Sequence, residues 1–343
     1  MEQKGELGSK GYRTEEKQRG WSGRQAARFN KENEEVARAV DNQYGTEQIR
    51  LTAAVREELS QRLHELGLRG VEPERRATGP IGKERLDLIL AGLMKYNQLK
   101  RSHLSTMYYY NTVGRGRDNL ISRELSLLLA GGWIERERYN VREYVYRLGY
   151  WGKVLAASFG RTYFGDRRLL LEHDLLIADC MTRLQSEARA GGGRVDWSGE
   201  YEIELTGELR PDATGLVTIS GERVDFFLEA DTGSERGGTF GQKYPNYVRY
   251  AAGAVEQWQR KFQRRDFPVV LVVTRGREIR LAGMIEEIES RMSISKPAVV
   301  VRFYFTTSGR IEKAVAADPD KGVLLFEQLW SVPFSSDRYA LWG

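Results

Sequence analysis

Cysteine is almost missing from this chain, with a single thiol, Cys180, among 343 residues. One cysteine closes no internal disulfide and cannot alone supply the thiolates of a structural zinc site. Also missing is any apolar run near the ~20 residues that cross a bilayer. The opening MEQKGELGSKGYR has no apolar stretch of the secretory kind. The expectation is a cytoplasmic protein with no membrane partner. Glycines between Gly233 and Gly241 fall where a phosphate loop could sit, but GxxxxGK[ST] is absent and Ser234-Glu235-Arg236 fills the stretch. That argues against nucleotide binding. No nucleophile elbow is present for serine-triad hydrolysis.

What the chain does have is 41% hydrophobic and 29% charged residues, enough apolar content and length for about two separately cored domains. The net charge of +5 points weakly to a polyanionic partner. Residues 1–32 are charged and glycine-rich with few aliphatic side chains, and read as a disordered basic arm. In residues 33–80, charged residues alternate with Val36, Val40, Ile49, Leu51, Val55, Leu59 and Leu63. The later part of this stretch reads as one amphipathic helix ending near Gly67, and the linker GVEPERRATGP follows. The helix stripe could dock on the next domain or pair two protomers.

Three helical patterns and a hairpin follow in 81–160. Leu86, Ile89, Leu90, Leu93 and Met94 form one stripe, Leu99–Tyr110 a second helix, and Asp118–Ala130 a third after the polar break NTVGRGRDN. Gly131-Gly132 suits a left-handed cap. Trp133–Arg138 and Glu143–Leu148 alternate as strands around the turn YNVR. The order of elements, and above all LSLLLAGGWIERE followed by YVYRLGYWGKVL, resembles the winged-helix DNA-binding family. That resemblance implies a third helix lying in a major groove about 12 Å wide. Arg115, Arg117, Asn119, Ser122 and Arg123 would meet DNA from the helix, and Arg136, Arg138 and Arg142 from the wing. The alternative use of these arginines is a solvated face on a dimerisation module.

From about Phe164 the pattern becomes α/β. A helix (LLLEHDLLIADCMTRLQSEARA) ends in three glycines, and strands are expected at YEIEL, LVTI, VDFFLEAD, VVLVVT, VVVRFYF and GVLLF. Helices are expected near 240–263 and 278–291, giving a mixed sheet with helices on its faces. Along Phe226–Asp231, side-chain alternation puts Phe227, Glu229 and Asp231 on one face. Two carboxylates on one face of a buried strand require a compensating cation. With Asp212 added, the three acids form an all-oxygen set suited to Mg²⁺ or Mn²⁺. Pro211-Asp212 followed by Glu229 resembles the PD-(D/E)xK nuclease superfamily. Asp231 stands where that motif has lysine, and Lys243, one helical turn from Tyr247, is the expected substitute.

A resemblance covering both regions is carried by HDLLIADCMTRL, WSGE, LRPD, FFLEADTGSE and KYPNY. This combination is similar to the replication-relaxation family of plasmids and mobile elements. That resemblance implies His173, Glu200, Asp212, Glu229, Asp231, Lys243 and Tyr247 as site residues. The expected fold class is α+β, with a winged helix-turn-helix domain at 81–160 and an α/β restriction-endonuclease-like domain with a mixed central sheet at 161–343. The expected function is a double-stranded-DNA-binding protein of plasmid replication or maintenance. Two other readings stand beside it: a divalent-metal endonuclease targeted by its winged helix, and a transcriptional autoregulator. A homodimer or replication and transfer proteins are the expected partners.

Overall fold

The computed structural model describes residues 46–47, 52–65, 85–112, 114–160, 163–164, 171–199, 209–233, 243–252, 267–295, 301–317 and 323–341. The expected basic arm, the linker, the YEIEL strand, Glu200 and the glycine loop from Ser234 to Gly241 lie outside these residues.

Helix α1 (Ala53–Glu65) packs on α5 (Tyr150–Ser158), where Arg62 lies 4.3 Å over the Trp151 ring. The strand pair β1 (Thr46–Glu47) and β5 (Tyr163–Phe164) is antiparallel. Between these lie α2 (Arg85–Tyr96), β2 (Gln98–Lys100), α3 (Arg101–Tyr108), α4 (Gly114–Ala130), and the hairpin of β3 (Ile134–Arg138) and β4 (Tyr144–Leu148). β2 adds to the hairpin in the order β2-β4-β3, all antiparallel.

Two expectations change here. The helix expected from Leu99 begins at Arg101, because Gln98–Lys100 pairs with Val145–Arg147 far along the chain. The third helix starts at Gly114, not Asp118. Arg115 and Arg117 therefore stand in its first turn instead of a loop. Gly132 takes φ +70, and the Trp133 N–H donates to the Leu128 carbonyl at 2.9 Å, so the expected glycine cap is present. Gly152 has a packing reason of its own, since a Cβ there would lie 2.3 Å from the Trp133 carbonyl.

The second region is built on a seven-stranded mixed sheet ordered β12-β11-β10-β9-β8-β7-β6. Its strands are β6 (Arg194–Gly199), β7 (Ala213–Ile219), β8 (Glu222–Asp231), β9 (Val269–Thr274), β10 (Phe303–Thr307), β11 (Trp330–Ser331) and β12 (Arg338–Tyr339). β6, β7 and β8 form an antiparallel meander, and β8, β9 and β10 run parallel. All six residues of β9 are buried, as expected for a parallel strand covered on both faces. Helix α6 (Leu171–Ala190) covers one face, against Phe226, Leu228, Leu271 and Val273. The other face packs Phe227, Val270, Val272 and Phe305 against α7 (243–252) and α8 (Glu278–Ser295). Helix α9 (Ser308–Ala317) and the short α10 (Val323–Phe326) complete the elements among the described residues. The strand expected at GVLLF is that short helix, and β6 is a strand the sequence pattern did not single out.

The two regions share one continuous apolar core, in which Ile89, Leu128 and Trp133 belong to the same cluster as Leu184, Trp197 and Phe226. Polar links cross the same seam. Lys100 Nζ pairs with Asp179 at 3.0 Å, and His103 Nε2 lies 2.6 Å from the same carboxylate. Gln98 Nε2 donates to Asp174 at 3.2 Å. Cys180 lies within this core, where burial pushes its thiol pKa up and keeps it inert.

Candidate functional site

The antiparallel register of β7 and β8 sets Ala213 opposite Leu228 and brings the preceding Asp212 beside Glu229. The Asp212 N–H donates to the Leu228 carbonyl at 3.0 Å, and its Oδ2 accepts from the Ala230 N–H at 2.7 Å. His173, in the first turn of α6, approaches that oxygen from the other side, with Nε2 at 3.2 Å. His173 Nδ1 faces Asp174 at 3.9 Å. Burial pulls the His173 pKa down, but Asp174 and Asp212 outweigh it and lift it to about 10, so the ring is an imidazolium at neutral pH. Burial pushes the Asp212 pKa up, while His173, Lys243 and the Ala230 N–H hold it below the usual carboxylate range.

Glu229 is 2% exposed and has one partner on each oxygen. Lys243 Nζ of α7 donates to Oε2 at 2.5 Å, and the Tyr247 hydroxyl donates to Oε1 at 2.6 Å. The spacing of Lys243 and Tyr247, one turn apart on a helix, is what lets both reach the same carboxylate. Burial and the charge of Asp212 push the Glu229 pKa up to about 7, against the opposing pull of Lys243 and Tyr247. Two cations, His173 and Lys243, face the two carboxylates, and it is burial, with Asp212, that outweighs them at Glu229. Tyr247 is fully buried, with its hydroxyl committed to Glu229.

Asp231 is not part of this cluster, which corrects the three-acid grouping. It shares the strand face with Glu229, but its carboxylate takes a bidentate Arg280 guanidinium at 2.8 and 2.8 Å and the Thr274 hydroxyl at 2.7 Å. Burial raises its pKa, and Arg280, Thr274 and the Gly233 N–H more than reverse that. A fork-shaped guanidinium neutralises a carboxylate efficiently, so Asp231 needs no cation. Among the described residues no three His, Cys, Asp or Glu side chains converge as a metal-binding group. Asp212 and Glu229 remain together, with both Glu229 oxygens engaged by Lys243 and Tyr247 and Asp212 Oδ2 by the Ala230 N–H and His173. Arg280, Thr274 and Asp174 were not legible as partners, since Asp231 and Arg280 lie 49 positions apart and no local pattern links them.

On α4, Arg115, Asn119, Ser122 and Arg123 are exposed along one side, while Ile121, Leu125 and Leu128 are buried on the other. Arg117 is half-buried, and its Nε has no hydrogen-bond partner. On the hairpin, Arg136 is exposed and lies 4.8 Å over the Tyr144 ring. Arg138 is exposed and donates to the Asn140 and Val141 carbonyls, which braces the turn, and Arg142 is exposed beside it. Glu135 is interleaved with these arginines and engages Arg147, with the two groups 3.2 Å apart.

No helix among the described residues is long and apolar enough to cross a membrane. None of the curated proteins matches the chain in sequence. Among solved structures, the restriction endonuclease FokI bound to DNA is similar at 15% identity, over 76% of this chain and 49% of that one, with a TM-score of 0.24. The chain thus spans about half of that neighbour's length, and a score so low assigns no fold. A family model described as replication-relaxation matches residues 90–265, just over half of the sequence, and takes in both the hairpin region and the Glu229 cluster.

Proposed function

The chain belongs to the replication-relaxation family, and from that premise we propose that it is a DNA-binding protein acting in replication or maintenance of a plasmid or other mobile element. In this reading residues 85–158 are a winged helix: α4 enters the major groove and the β3–β4 hairpin is the wing. The observation that carries it is the one-sided distribution of Arg115, Asn119, Ser122 and Arg123 on α4, opposite the buried apolar stripe. Arginine and asparagine present the forked donors and acceptors that read base edges, and serine adapts to either. The test is duplex binding measured over a salt series. The expected result is a linear fall of log K with log salt. Arg123→Ala should weaken binding by about 1–3 kcal/mol at a preferred site. Salt-independent binding, or none, overturns the proposal.

A second reading is supported by the Asp212–Glu229 pair: the 161–343 region is a PD-(D/E)xK-like nuclease. Carboxylates with displaced pKa values cluster at sites of chemistry, where burial and neighbouring charges are arranged to shift them. Asp212 and Glu229 would hold Mg²⁺ or Mn²⁺, which when bound lowers the pKa of a coordinated water and neutralises phosphate charge. His173 fixes Asp212 and Tyr247 fixes Glu229. Lys243, with its side chain 40% exposed, is the group able to reach both Glu229 and an incoming phosphate. Supercoiled plasmid incubated with Mn²⁺ should be nicked by the wild type and not by Glu229→Gln or Asp212→Asn. Equal nicking by all three proteins rejects the reading.

A further inference from the structure

The C-terminal ends of the parallel strands β8 and β9 carry more positive charge than the Glu229 cluster uses. Arg210 lies two residues before Asp212, at the strand end where β7 begins and β8 finishes. Arg277 lies three residues beyond the end of β9, before α8. Both are exposed, and among the described residues neither guanidinium has an ion-pair or hydrogen-bond partner, although the Arg277 carbonyl accepts from the Arg280 and Leu281 N–H groups. This contrasts with their neighbours, because Arg280 is committed to Asp231 and Arg275 pairs with Glu172.

Glu172 joins this edge to the hairpin. The Tyr139 hydroxyl, in the β3–β4 turn, donates to the Glu172 carboxylate at 3.2 Å. The same carboxylate pairs with Arg275 next to the end of β9, and the next residue, His173, pairs with Asp212. One helical turn of α6 therefore touches the wing, the β9 edge and the acid pair. The opposite end of β8, at the Ser220–Gly221 turn, has none of these links among the described residues.

We propose that the wing and the Glu229 end of the sheet form one DNA-facing surface, with Arg210 and Arg277 holding the phosphate backbone of a duplex that the wing has engaged. The inference rests on the DNA-binding reading above. The backbone is the occupant that fits, because two exposed, unpaired guanidiniums at a rim suit a regularly spaced line of phosphates. Access agrees, since both arginines are exposed whereas Glu229 is buried.

The buried Cys180 makes a direct test practical, because a single introduced surface cysteine will react alone. Three full-length variants would carry a tethered iron chelate that cleaves nearby DNA: Val141→Cys at the wing tip, Arg277→Cys, and Glu222→Cys at the far end of β8. The probe is an end-labelled random-sequence duplex at low salt. Scission from the 141 and 277 positions at comparable yield, several-fold above the 222 position, supports the shared face. Scission from 141 with 277 no better than 222 overturns it while leaving the DNA-binding reading intact. Background scission from all three, together with no duplex binding, rejects that reading and this inference with it. In unlabelled protein, Arg210→Ala and Arg277→Ala should each lower the salt slope of binding by about one. Unchanged slopes would also overturn the proposal.

Discussion

His173 and Glu229 illustrate two ways of keeping charge inside a protein. Both are titratable and mostly enclosed, and both have a pKa above the ordinary value, for opposite reasons. His173 is raised because anions surround its cationic form, so its contribution to stability is complete below the unfolded value of 6.5 and fades as pH climbs towards about 10. Glu229 is raised because burial and Asp212 penalise its anion, so its ionisation costs stability as pH rises from 4.5 through about 7. His173→Gln should therefore cost roughly 3 kcal/mol near pH 6, because Asp212 is left buried without its partner. The deficit should shrink steadily as pH approaches 10. Chemical denaturation of both proteins at several pH values checks this, and a deficit constant across the range contradicts the ion-pair account.

At the scale of elements, glycines that look alike in sequence separate by what surrounds them. Gly152, in α5, lies against the backbone of Trp133, whereas Gly116, in the first turn of α4, has nothing within 4 Å of where a Cβ would stand. Gly152→Ala should destabilise by about 1–3 kcal/mol, because carbonyl and helix must part. Gly116→Ala should stabilise by up to about 1 kcal/mol through helix propensity alone. Thermal melts read both, and two shifts of the same sign would contradict the packing argument. The same distinction governs what was legible beforehand. The α4 stripe, the capping glycines, the hairpin and the facing of Phe227 and Glu229 are local periodicities, and the structure has them. β2 escaped notice because three residues carry little periodic signal and exist through pairing with distant β4. β6 does alternate, with Val195 and Trp197 inward and Arg194 and Asp196 outward, but over only a short run. GVLLF reads as a strand by composition, yet it forms a helical turn in which the Leu325 N–H donates to the Glu187 carboxylate. Within the site, Asp212, Glu229 and Lys243 were visible through spacing, whereas the removal of Asp231 by Arg280 depends on tertiary contact alone.

For the whole molecule, the decisive feature is the seam between the hairpin region and the large sheet. Connected but independently folding units join through modest, rather polar interfaces. Here the apolar core runs through unbroken, and the polar pairs of Lys100, His103 and Gln98 with α6 lie along it. Trp197 of β6 sits at the centre of that join. Its ring lies 4.6 Å from Tyr96 of α2, and Lys95 Nζ stands 4.2 Å over it while donating to its carbonyl. Trp197→Ala removes a buried aromatic that both regions use, and large-to-small changes of this kind cost about 3–5 kcal/mol. If the regions fold as one cooperative unit, calorimetry of the wild type shows one transition, and the variant shows one transition at a lower temperature. Two wild-type transitions, with only one shifted by the substitution, would mean that the seam is a contact between independent domains. In that case the β3–β4 hairpin would not be held rigidly against the Glu229 end of the sheet.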